Sequence, residues 1–153
     1  MNVARPRHPQ DDPRMAGFRE AVARIDLLAV QTPGYVWHLP ATVAHVNPGD
    51  FAGMDNLVLN LSVWTDFASL EAFTYRGAHR RYLTERERWF DPVPGPTFAL
   101  WWVPAGERPT VEEASRRLAY LRRWGPSVRA FPVLTRFAPD GTPDGPRRRT
   151  GRR

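Results

Sequence analysis

The sequence predicts an α+β domain of the ferredoxin-like type, an antiparallel sheet with its helices on one face. Three observations carry this expectation. Residues 57–64, LVLNLSVW, alternate with the period of two that marks a strand. Two stretches, about 13–30 and 65–90, place apolar side chains at helical spacing. The elements follow one another as β-α-β-β-α-β, with a third helix and an edge segment after them.

Each element has a local reason. Asn2-Val3-Ala4-Arg5 reads as a very short first strand before a Pro-rich connector. Asp12 before Pro13 starts the first helix, because a carboxylate accepts from free amides and Pro suits the first helical position. Met15, Phe18, Val22, Ile25 and Leu28 share its apolar face, and Thr32-Pro33-Gly34 turns the chain. Residues 35–39, YVWHL, form a second strand, and 42–56 a loop. In 57–64, Leu57, Leu59, Leu61 and Val63 make an aliphatic face expected to meet helices, while Val58, Asn60, Ser62 and Trp64 make a mixed one. The helix begun at Thr65 or Asp66 has a weak point at Gly77. After a strand at 97–103, Thr110-Val111-Glu112-Glu113 is a capping-box pattern, and that helix stops at Gly125-Pro126. A last segment, 129–137, is confined to a sheet edge by Pro132.

The domain is expected to span residues 1–137. Residues 138–153 read as a disordered Pro/Gly/Arg tail, and their five Arg against Asp140 and Asp144 supply +3 of the chain's net charge of +6. The body is only mildly basic, so no specific nucleic-acid partner is expected. No apolar run reaches the ~18–20 residues a membrane span needs, and the N-terminus lacks the apolar segment of a secretory signal. A cytoplasmic protein is the expectation. Two absences prune the chemistry. The chain has no Cys, which removes thiolate nucleophiles and thiolate metal sites, and every basic residue is Arg, which removes Schiff-base and lysine-base chemistry.

Aromatic residues concentrate between 57 and 102, where four of the six Trp lie. Such a density of amphipathic rings predicts a shaped pocket or an interface. Tyr75 and His79 are one helical turn apart on one face, and His79 titrates near neutral pH. It is therefore a candidate acid or base, with packing between helix and strand as the structural alternative. Asn60 in mid-strand must find hydrogen-bond partners, either a ligand or a neighbouring side chain. Ser62 and Trp64 share its face, and Trp37, Trp89 and Trp102 complete the candidate ligand wall. Adjacent Trp101 and Trp102 point to opposite sides of a strand, so at most one is expected to line a cavity. His8, His38 and His45 have no metal-ligand spacing, and no metal site is expected.

The segments DDPRMAGF, TPGYVW, NLVLNLSVW, AHRRYLTERERWF, LWWVPAG and PTVEEASRRLAYLRRWGP together resemble the family known as domain of unknown function 3291, over residues 2–133. That family is similar to the dimeric α/β-barrel superfamily, which includes antibiotic-biosynthesis-type monooxygenases, haem-degrading oxygenases and chlorite dismutase-like proteins. The resemblance implies a homodimer whose two sheets enclose a cavity, and a first strand longer than the one at the start of this chain. It implies a small-molecule enzyme, monooxygenase-like or an isomerase or cyclase of secondary metabolism, acting without a cofactor on a hydrophobic metabolite. His79 or Tyr75 would move protons and Asn60 would hold developing negative charge. Two alternatives stay open: a protein that binds haem (through His79) or a small ligand without catalysis, and a dimerising scaffold.

Overall fold

The computed structural model describes residues 1–40, 57–76, 82 and 84–144. The chain is α+β, with small antiparallel sheets and three helices among the described residues. Strand β1 (Asn2–Pro6) lies between β3 (Val58–Asn60) and β5 (Phe90–Asp91), antiparallel to both. Asn2 stands opposite Asn60 on one side and bridges to Phe98 on the other. The edge continues as Val3 N–H donates to Thr97 O at 2.8 Å and the Met1 nitrogen to Ala99 O at 2.9 Å.

Strand β2 (Tyr35–His38) pairs with β4 (Ser62–Trp64), and Leu39 N–H donates to Leu61 O at 2.8 Å across the short break between β3 and β4. The order across these pairings is therefore 97–100, β1, 58–64, β2. Phe131 adds to the outer edge by exchanging backbone hydrogen bonds with Leu100 at 2.8 and 2.9 Å. The described strands do not close into a barrel.

The helices begin where the sequence places them. Asp12 accepts from Arg14 N–H and starts a 3₁₀ turn, Pro13–Met15, that leads into α1 (Ala16–Val30). Asp66 accepts the Ser69 N–H at 2.7 Å and starts α2 (Phe67–Glu71). The helical region expected from there to about residue 90 is irregular where it is described: its register widens into a π-helical turn over Ala72–Arg76, residues 82, 84 and 85 are α-helical, and a 3₁₀ turn follows at Arg86–Arg88. Thr110 caps α3 (Val111–Trp124) by accepting Glu113 N–H at 3.2 Å. The reciprocal half of the capping box is not made, because the Glu113 carboxylate pairs with Arg117 at 2.9 Å instead.

Two clusters hold the fold together. Val3, Leu57, Leu59, Leu61 and Ala99 from the strands pack against Ala114, Leu118 and Leu121 of α3. The aliphatic strand face thus meets a helix as expected, and that helix is α3. Met15 and Ala21 pack with Trp89, flanked by Phe18 and Phe90, at the other end of α1. On the mixed face, Trp64 is half-buried, with the Phe73 ring at 4.9 Å and the Tyr35 ring edge-on at 5.6 Å, because the π-helical turn folds back over it. Residues 138–144, expected to belong to a disordered tail, form a tight hairpin: Ala138 N–H donates to Thr142 O at 2.8 Å and Asp144 N–H to Arg136 O at 2.8 Å. No helix among the described residues is long and apolar enough to cross a membrane.

Candidate functional site

A cavity of about 350 Å³ opens between β4, the start of α2, the 99–107 segment and the 131–144 segment. Its size falls within the ~300–1,000 Å³ of small-molecule sites. Three of the candidate ligand residues, Ser62, Trp64 and Trp102, line it. Ser62 Oγ accepts the Trp64 indole N–H at 3.0 Å, and the Trp102 indole N–H donates to Phe137 O at 2.7 Å. Both indoles are thereby fixed in orientation, leaving ring surface toward the cavity. Trp101 also borders it, whereas alternation predicted at most one of the pair. Its ring packs on the main core with the Arg117 guanidinium 5.8 Å above it, and its buried N–H has no partner.

Four charged residues border the cavity: Asp66, Glu107, Arg136 and Asp144. Arg136 is held tightly. Its guanidinium lies 4.1 Å from the Phe67 ring centroid, its Nε donates to Asp144 O at 3.1 Å, and the Asp144 carboxylate is 3.9 Å away. Asp66 accepts from Ser69 N–H and from the Thr65 hydroxyl at 3.0 Å, and these bonds hold its carboxyl below the usual carboxylate range. The sequence reading missed Arg136, Phe137 and Asp144 because it assigned their neighbourhood to an edge and a tail. The signal available was Phe137 beside Arg136, an aromatic-basic pair just before the tail composition begins.

The other candidates go elsewhere. Tyr75 is 47% exposed on the π-helical turn and does not border the cavity, and His79 lies outside the described residues. Asn60 ends β3, exposed, opposite Asn2. Trp37 packs against the main core with Arg108 at 5.7 Å over its ring. Trp89 is buried in the α1 cluster, beside a second hollow of about 240 Å³.

One titratable chain was not foreseen. Tyr35 Oη lies 2.6 Å from His38 Nδ1, and His38 Nε2 lies 3.7 Å from Asp26 Oδ2 on α1. A bulge between Tyr35 and Trp37 is what brings residues 35 and 38 to one side of β2. Burial pushes the Asp26 carboxyl up, against the pull of His38, and burial pushes the Tyr35 phenol up as well. With neutral imidazole the phenol donates to Nδ1; with imidazolium the direction reverses, and Nε2–H faces the carboxylate. The chain can therefore store or pass a proton behind Trp64, whose ring Tyr35 meets edge-on. Among the described residues no group of three or more His, Cys, Asp or Glu is arranged to hold a metal ion. The described lining of the cavity contains no imidazole, and His79, the expected haem ligand, lies outside the described residues.

Residues 1–147 match the family described as Domain of unknown function (DUF3291). The chain belongs to that family. The match runs through β1, the cavity walls and the 138–144 hairpin, so the DUF3291 region includes the whole candidate site. No curated protein and no solved structure matches the chain.

Proposed function

We propose that this DUF3291 protein binds a hydrophobic small molecule in the cavity walled by Ser62, Trp64 and Trp102, and acts on it without a cofactor. The reaction class is oxygenation or proton-transfer isomerisation or cyclisation. The observation that carries the reading is the cavity itself, with its fixed indoles, few polar groups and ligand-sized volume. The Tyr35–His38–Asp26 chain lies behind the cavity wall, in contact with Trp64 through the Tyr35 ring, and is the proton-handling group with an imidazole among those described. The pairing order 97–100, β1, 58–64, β2 supports a ferredoxin-like sheet and, with it, the reading of the chain as a homodimer of the dimeric α/β-barrel superfamily.

A second reading, a binder without catalysis, is favoured by one observation: the described cavity lining contains no histidine or tyrosine. Native mass spectrometry with absorbance on the purified protein tests both. A co-purifying organic molecule, lost in Trp102→Ala, supports the site, and its turnover by wild type but not by His38→Gln supports the enzyme. Retention of the molecule unchanged by both proteins moves the reading to a binder. A Soret band would move the reading to a haem binder, and an empty protein whose Trp102→Ala variant behaves identically removes the site. The same spectra give the mass of the assembly, twice 17.5 kDa for the homodimer.

A further inference from the structure

We propose that the cavity selects a hydrophobic cation, an apolar amine or quaternary ammonium, over neutral and anionic molecules of similar shape. This rests on the cavity being a ligand site. Its described lining includes the aromatic residues Trp64, Phe67, Trp102, Phe131 and Phe137. Aromatic faces carry negative potential and attract cations within about 6 Å of the ring centroid. The cavity already demonstrates this preference with a cation of its own, since the Arg136 guanidinium sits 4.1 Å over Phe67.

The charge around these rings has the opposite sign to that of the chain. Three carboxylates and one guanidinium border the cavity, a formal balance of −2, in a protein of net charge +6. Arg136 is matched by the Asp144 carboxylate 3.9 Å away and by its carbonyl. Asp66 and Glu107 have no cationic partner within 4.0 Å in the described structure, and Asp66 is kept ionised by the N–H and hydroxyl that it accepts. An anionic ligand meets these two carboxylates and must separate Arg136 from Asp144 to gain a partner. A cation meets two carboxylates and the ring faces that Arg136 leaves uncovered, and need not separate Arg136 from Asp144.

The test is isothermal titration of the intact protein with benzyltrimethylammonium, benzyl alcohol and phenylacetate, at low and at moderate salt. The expected result is that the ammonium binds tighter than benzyl alcohol by about fivefold or more, a ratio in line with ring–cation attraction at a half-exposed site. Phenylacetate binds weakest, and salt reduces the ammonium's advantage by screening. Glu107→Gln and Asp66→Asn, the latter retaining a capping oxygen, each weaken the ammonium more than benzyl alcohol, so the ratio of the two affinities falls. Equal affinities, or tighter binding of phenylacetate, overturn the cation preference while leaving the cavity a ligand site. Failure of all three probes to bind overturns the cavity reading and the preference with it.

Discussion

Asp26 holds its proton more tightly in the folded protein than in an open chain, because α1 half-buries its carboxyl beside β2. The sign of the consequence follows from linkage. A carboxyl whose folded pKa is raised from 3.8 gives a contribution that is complete below that value and is lost as pH rises through the raised one. Asp26→Asn abolishes this loss, so the melting temperature of the variant relative to wild type climbs between pH 4 and pH 7. Calorimetry across that range checks it, and a relative melting temperature that falls with pH contradicts it. Leu59 presents the simpler case of a side chain with no exposed surface, at the centre of the α3 cluster. Leu59→Ala removes buried methyl groups and leaves a void, so urea denaturation is expected to show a loss of about 2–5 kcal/mol.

At the scale of elements, the turn between α1 and β2 is a tight joint. Gly34 has φ +85°, and a Cβ placed there would lie 2.2 Å from Ser69 Oγ and 2.4 Å from Ser69 Cβ. The turn therefore packs directly on α2, and Thr65 N–H donates to Gly34 O at 2.8 Å across the same contact. Gly34→Ala combines a left-handed backbone with a clash, and is expected to destabilise by more than about 1 kcal/mol in chemical denaturation. The start and stop signals at Asp12, Asp66, Thr110 and Gly125 were legible because capping is local: donor and acceptor lie within three or four residues. The strand alternation of Leu57, Leu59 and Leu61 was legible for the same reason. The cover over Trp64 was not, because it depends on where a π-helical turn brings Phe73. Nor was the Tyr35–His38–Asp26 chain, which needs both a bulge in β2 and the placement of α1 against it.

Two arginines of α3 also tie elements together. Arg122 Nε donates to Pro96 O at 2.7 Å and Arg117 Nη1 to Arg129 O at 2.9 Å, pinning loops to α3. A guanidinium offers five donors in a fixed fork and stacks on rings, so one residue type serves as hydrogen-bond clamp and aromatic partner.

For the whole molecule, the cavity is assembled from segments distant in the chain, from β4 to Asp144. Sequence reading recovered Ser62, Trp64 and Trp102 because an aromatic strand face is a local pattern. It lost Arg136 and Asp144 because composition alone marks 138–153 as a tail, while the hairpin that orders 138–144 depends on contacts with Arg136 and on the Phe137–Pro143 bridge. Removing residues 138–153 is expected to lower the melting temperature and to raise amide exchange at Trp102–Val103, since Asp144 no longer holds Arg136 over Phe67. Thermal melts and hydrogen exchange on the truncated chain measure both, and unchanged protection there would show that the hairpin is dispensable.

The central position of β1 has a consequence for how the protein is made. Its partners stand far along the chain, with Asn2 facing Asn60 on one side and Phe98 on the other. Strand β1 therefore leaves the ribosome before either partner, and it waits with at least one edge unsatisfied while the next hundred or so residues are synthesised. At ~5–20 residues per second that exposure lasts on the order of 5–20 s. Pairings of such long reach also slow folding once the chain is complete. Yield of folded protein is thus set during synthesis by what shields Asn2–Pro6, and slower growth temperatures or a holding chaperone act on that interval.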